Sequence, residues 1–188
     1  MRKSVVNKFF VCLLCMVLLG WTSSLWAQVD FKARLMTGGG PNTESSINVR
    51  IHIESFTTVD EVLALNKAFS EGGEDGFFAV FNKINKASLR FLGARGLNIG
   101  LHAAYEKPTD NGFKIFLYGK SQSVEPGSNR LIYGGFLFLV VILDLDKNYK
   151  GEGRIYEDAR IQFTQQATIE MDSYTRAPKV LVGVSIVK

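Results

Sequence analysis

The sequence predicts an α+β domain: a curved, largely antiparallel meander sheet of about seven to nine strands, with one helical hairpin inserted between the second and third. Three observations predict it. Apolar and polar residues alternate with period two through most of residues 31–186, the pattern of strands with one buried face. One segment, 58–85, switches to helical spacing. Short turn signals join successive strands, which makes chain neighbours antiparallel. The natural twist of so long a sheet curls it; the pattern does not decide whether its edges meet.

Phe31–Thr37 alternates weakly and ends at the Gly38–Gly39–Gly40–Pro41–Asn42 cluster, a chain breaker. Ile47, Val49, Ile51 and Ile53 then face one way while Asn48, Arg50, His52 and Glu54 face the other. Thr58 followed by Glu61 forms a capping box, in which each side chain satisfies a free backbone N–H of the first helical turn. Val62, Leu65, Ala68 and Phe69 recur at helical spacing up to Gly72–Gly73, which stops the first helix. Asp75 opens a second, with Phe77, Val80, Phe81 and Ile84 on one stripe. These stripes need burial, and a sheet face is the available surface.

Strands resume with Leu97, Ile99, Leu101, Ala103 and Tyr105 on one face, and end with Val180, Val182, Val184 and Ile186. Weaker strand patterns occupy 88–94, 113–120, 154–163 and 168–174. Phe136–Leu143 has eight consecutive apolar residues and no polar face, which predicts a strand covered on both sides. Asn111–Gly112 and the Asp146–Gly151 segment carry hairpin-turn chemistry. Ser121–Arg130 is the longest irregular loop. Neither repeats nor linkers suggest a second domain within 28–188.

Residues 1–27 have the layout of a cleavable signal peptide. Arg2, Lys3 and Lys8 form a basic start, Phe9–Gly20 an uncharged core, and the segment ends at Ala27. The core is shorter than the ~20 residues of a comfortable bilayer span. Phe9–Ala27 read as a whole leaves an uncleaved anchor as the alternative. Val11 and Leu14 precede the two cysteines where a lipoprotein needs a small residue. Cleavage would remove three basic residues, lowering the formal charge from +4 to +1, and both Cys12 and Cys15. The exported chain, periplasmic or secreted, would then depend on an ordinary hydrophobic core, without disulfides. So small a net charge gives no sign of nucleic-acid binding.

Catalytic and metal motifs are scarce. Without cysteine, thiolate nucleophiles and thiolate metal sites are excluded. His52 and His102 lie in strand patterns without metal-ligand spacing, and are weak candidates for a ligand-binding or general-base pair with nearby carboxylates. Asp144, Asp146 and Asn148 match the first oxygen ligands of an EF-hand loop. Tyr149 then replaces the required glycine and Ile155 the bidentate glutamate, so a hairpin tip is expected. No metal and no cofactor are expected. Aromatic residues concentrate at Phe113, Phe116, Tyr118, Tyr133, Phe136 and Phe138. Most should pack in the core; Phe116 and Tyr118 would line a groove for an apolar ligand if they face away from the helices.

The order of strands ending at Ile53–Glu54–Ser55–Phe56, a capped helix from Thr58–Val59–Asp60–Glu61, then Leu143–Asp144–Leu145–Asp146–Lys147 and Gly151–Glu152–Gly153 resembles a group of uncharacterised secreted bacterial proteins. That resemblance implies export and no activity, and assigns no functional residue. The leading expectation is a non-catalytic binding module for a small apolar ligand or an extracytoplasmic protein. The alternatives are an interaction or inhibitor module contacting through the Ser121–Arg130 loop, and a hydrolase or isomerase using His52 and His102.

Overall fold

The computed structural model describes residues 28–38, 44–93, 96–121, 138–164 and 168–187. Residues 1–27, predicted to be a signal peptide, residues 122–130 of the predicted loop, Tyr133 and Phe136 lie outside them. The chain order is β1 (Val29–Gly38), β2 (Glu44–Ile53), α1 (Val59–Phe81), β3 (Ala87–Leu92), β4 (Asn98–Thr109), β5 (Gly112–Lys120), β6 (Phe138–Asp146), β7 (Gly151–Phe163), β8 (Ile169–Tyr174) and β9 (Lys179–Ile186).

The predicted curved meander is corrected: its edges meet, and the sheet closes into an eight-stranded antiparallel barrel. Strands β1 to β7 each pair with the next, and β9 returns between β7 and β1 to complete the ring. The closing pairs are long-range in sequence, so local alternation carries no sign of them. Closure removes the free edges that an open sheet leaves unpaired. A bulge in β9 allows the join. Gly183, at φ 65°, adds a residue to β9 opposite both neighbours, and its positive φ suits glycine.

The barrel interior collects the inward residues of the alternating strands. Phe31, Ile51, Leu89, Leu101, Leu117, Val141 and Leu143 are all buried in one cluster. An eight-stranded barrel is just wide enough for side chains to fill it. Alanine at positions 33, 87 and 104 makes room for the larger neighbours.

The predicted helical hairpin is corrected to a single kinked helix. Gly73 leaves helical geometry at φ 59° and ψ −148°, but helical backbone resumes at once, with no connecting turn. The bend is sharp enough that a side chain at Gly76 would collide with the Ala68 carbonyl. The capping box is formed: Glu61 N–H donates to Thr58 Oγ1 at 3.3 Å, and Thr58 N–H to Glu61 Oε2 at 2.8 Å. Glu61 also meets buried Lys86 Nζ at 2.8 Å, tying the helix start to the β3 approach. Partial burial pushes the Glu61 carboxyl up, but Lys86 and Thr58 outweigh it and hold it below its ordinary value. Its share of stability is therefore lost as pH falls through that lowered value.

The helix packs on the outside of the barrel. Val62, Leu65, Phe77, Phe78 and Phe81 bury against Tyr118, Phe138, Val140 and Tyr156 of β5–β7. This explains the uniformly apolar run in β6: Leu139, Val141 and Leu143 face the interior, while Phe138 and Val140 lie under the helix. The far end of β7 leaves the ring at a bulge containing Asp158, at φ 58°, and pairs with β8 as an outer arm. Tyr118 Oη donates to the Ile169 carbonyl at 2.8 Å, holding that arm against β5. Among the described residues no helix is long and apolar enough to cross a membrane.

Candidate binding site at the barrel mouth

The two ends of the barrel differ. At the β6–β7 turn, Asp146 Oδ1 accepts the backbone N–H of Asn148 at 2.7 Å and of Lys150 at 2.9 Å. These bonds, the Lys150 amide above all, keep the Asp146 carboxyl below its ordinary value. The tight turn places Tyr149 at φ 57° and turns its ring into the barrel end. There it stacks on Phe113 at 4.8 Å between centroids and meets Phe31 at 6.5 Å. With Phe56 packed alongside, this base is stoppered by aromatic rings.

Glu106 sits just above the stopper. It lies opposite inward-facing Ile115 in the β4–β5 register, and its Oε2 is buried without a hydrogen-bond partner. Burial raises its carboxyl above the ordinary value. Burial, helped by the Glu106 charge, pushes Tyr149 up to about 12. An acid whose folded pKa is raised weakens the fold as pH rises through the interval between its unfolded and folded values. Glu106→Gln is therefore expected to stabilise the protein at pH 7 by up to about 1 kcal/mol, low in the range for an unsatisfied buried group because the side chain is partly exposed. The gain should vanish below pH 4, as paired thermal melts would show.

The opposite end is a recess of about 460 Å³. Its walls are the inward residues nearest that end: Leu35 of β1, Ile47 of β2, Phe91 of β3, Ile99 of β4, Leu139 of β6 and Ile155 of β7. Leu97, at its edge, is an exposed apolar residue. Polar groups gather on one side of the rim. Lys179 Nζ contacts Glu157 Oε1 at 2.6 Å. Ser121 Oγ donates to Asp158 Oδ1 at 2.7 Å, and Arg176 Nε lies 3.6 Å from Asp158 Oδ2. The β7 bulge sets both carboxylates at this rim. An apolar cup with a few convergent polar groups is the general form of a small-molecule site, and barrel mouths are a common place for one.

The residues singled out from sequence are dispersed. His52 is on the outside of β2, with Nδ1 3.3 Å from Asp30 Oδ1. His102 is the extra residue of the β4 bulge; its Nδ1 donates to the Ile84 carbonyl at 2.7 Å, and its ring lies 4.8 Å from Phe81. Each histidine thus has its own partner. Phe116 and Tyr118 face outward on the helix side, not away from it. Tyr118 is buried in the helix–barrel cluster, and Phe116 is half-buried beside it. Both border an outer recess of about 530 Å³ under the β8 arm, with Tyr105, Ile142, Ile169 and Met171. At the former calcium candidate, Asp146 is engaged by backbone amides and Asp144 meets Lys114 at 3.4 Å. Among the described residues no group of three metal-ligating side chains converges.

The mouth has no linear signature, because six of its wall positions come from six strands. The signals available in sequence were small: Glu157 interrupts apolar alternation two residues after Ile155, and Lys179 opens the last strand.

No protein-family model, curated protein or solved structure matches the chain. A barrel hosts many functions, so any functional reading has to come from the site.

Proposed function

We propose that the protein is an exported, non-catalytic binding module that takes a small apolar molecule into the recess at the mouth of its barrel. The observation that carries this reading is the asymmetry of the barrel ends: aromatic rings stopper the base, while the mouth keeps an apolar recess of about 460 Å³. Export rests on the residue 1–27 pattern, with its basic start and uncharged core. The separate engagements of His52 and His102 favour binding over acid–base catalysis, which needs groups converging on one reacting atom.

A second reading has a specific observation behind it: the outer recess bordered by Phe116 and Tyr105 is similar in size. A neutral fluorescent probe such as N-phenyl-1-naphthylamine separates the two. Ile47→Glu places a charge on the half-buried mouth wall and is expected to weaken probe binding at least tenfold, a loss of about 1.4 kcal/mol. Phe116→Ser should leave binding unchanged. The reverse pattern would transfer the site to the outer recess, and absence of probe binding would remove both.

A further inference from the structure

The polar groups at the mouth constrain the ligand more than its apolar walls do. Among the described residues, two ion pairs stand at the rim: Glu157 with Lys179, and Asp158 with Arg176. Of these, Glu157 and Lys179 border the recess itself. Their contact runs from Nζ to Oε1, and among the described residues neither side chain has another polar contact. The pair therefore offers an incoming molecule both a carboxylate oxygen and ammonium hydrogens.

We infer that the mouth selects an amphipathic molecule whose apolar body fills the recess and whose polar end is an uncharged hydroxyl or amide seated on the Glu157–Lys179 pair. This rests on the mouth being the binding site. A ligand carboxylate that reached Lys179 would stand beside the Glu157 carboxylate, and a ligand ammonium at Glu157 would stand beside Lys179. Either ion meets a like charge at short range and must compete with an existing partner. A hydroxyl or amide both donates and accepts. It bonds Glu157 and Lys179 together and leaves the pair intact. The recess, at about 460 Å³, corresponds to roughly fifteen water volumes. A body of about ten carbons fits that space.

The test uses the full chain and three molecules with the same body: decanol, decanoate and decylammonium, each displacing N-phenyl-1-naphthylamine at pH 7. Decanol is expected to bind at least tenfold more tightly than either ion. Glu157→Gln leaves Lys179 without its counter-charge and should improve decanoate about tenfold. Lys179→Met should do the same for decylammonium. Both side chains are partly exposed, so these variants should fold. Equal or tighter binding of an ion to the native protein would overturn the inference, as would an order that neither substitution changes. Failure of all three to displace a probe that Ile47→Glu releases would also overturn it. A probe that Ile47→Glu leaves bound, and that none of the three displaces, would show that the mouth is not the site. That result differs from wrong selectivity at a working site.

Discussion

Val141→Asp is expected to leave no folded protein in solution. Val141 has no exposed surface and lies between Leu117 of β5 and Ile155 of β7 in the barrel register. A carboxylate there has no partner in the surrounding apolar cluster. Burying an unpaired charge costs several kcal/mol or more even after a pKa shift relieves part of it. Total stability of an ordinary domain is only about 5–15 kcal/mol. Circular dichroism and size-exclusion chromatography of the variant should report an unfolded or aggregated chain. Ile142→Thr, one residue away on the half-buried outer face, should fold. A cooperatively melting Val141→Asp protein would mean that β6 does not line a closed interior.

Phe78→Ala is expected to loosen the helix from the barrel. Phe78 is fully buried, with ring centroids 5.2 Å from Phe77, 6.2 Å from Phe81 and 5.6 Å from Phe138. Truncating a buried phenylalanine removes its transfer free energy and leaves a cavity, together about 3–5 kcal/mol. At roughly 2–4 °C per kcal/mol for a chain of this size, the melting temperature should fall by about 10 °C. Because the aromatic cluster covers the outside of the barrel, the interior should persist. Hydrogen exchange should quicken in α1 well before it does in β1 and β2. Equal loss of protection everywhere would show that helix and barrel form one cooperative unit.

The strands were readable wherever one face was buried and the other wet. In β2, the alternating Ile47, Val49, Ile51 and Ile53 all point inward. The capping box marked the helix start because its bonds are local. Closure was not readable. It depends on β9 passing β8 to reach β7 and β1, and on bulges at Gly183, Asp158 and His102 that shift the alternation by a residue. The kink is hidden for a related reason: a glycine pair stops an isolated helix, but packing against the barrel carries α1 through Gly73. Aromatic density marks Phe116 and Tyr118 in the sequence, whereas the mouth is assembled from single residues of separate strands and needs closure before it exists.

If the proposal holds, the barrel takes up its ligand at one end only. Methyl-resolved NMR during titration with decanol reads out both ends at once. The methyl groups of Leu35, Ile47, Ile99, Leu139 and Ile155 at the mouth should shift, with Ile53 and Leu145 near the stoppered base unmoved. Shifts confined to Ile142, Ile169 and Met171, or an unchanged spectrum at saturating ligand, would contradict it.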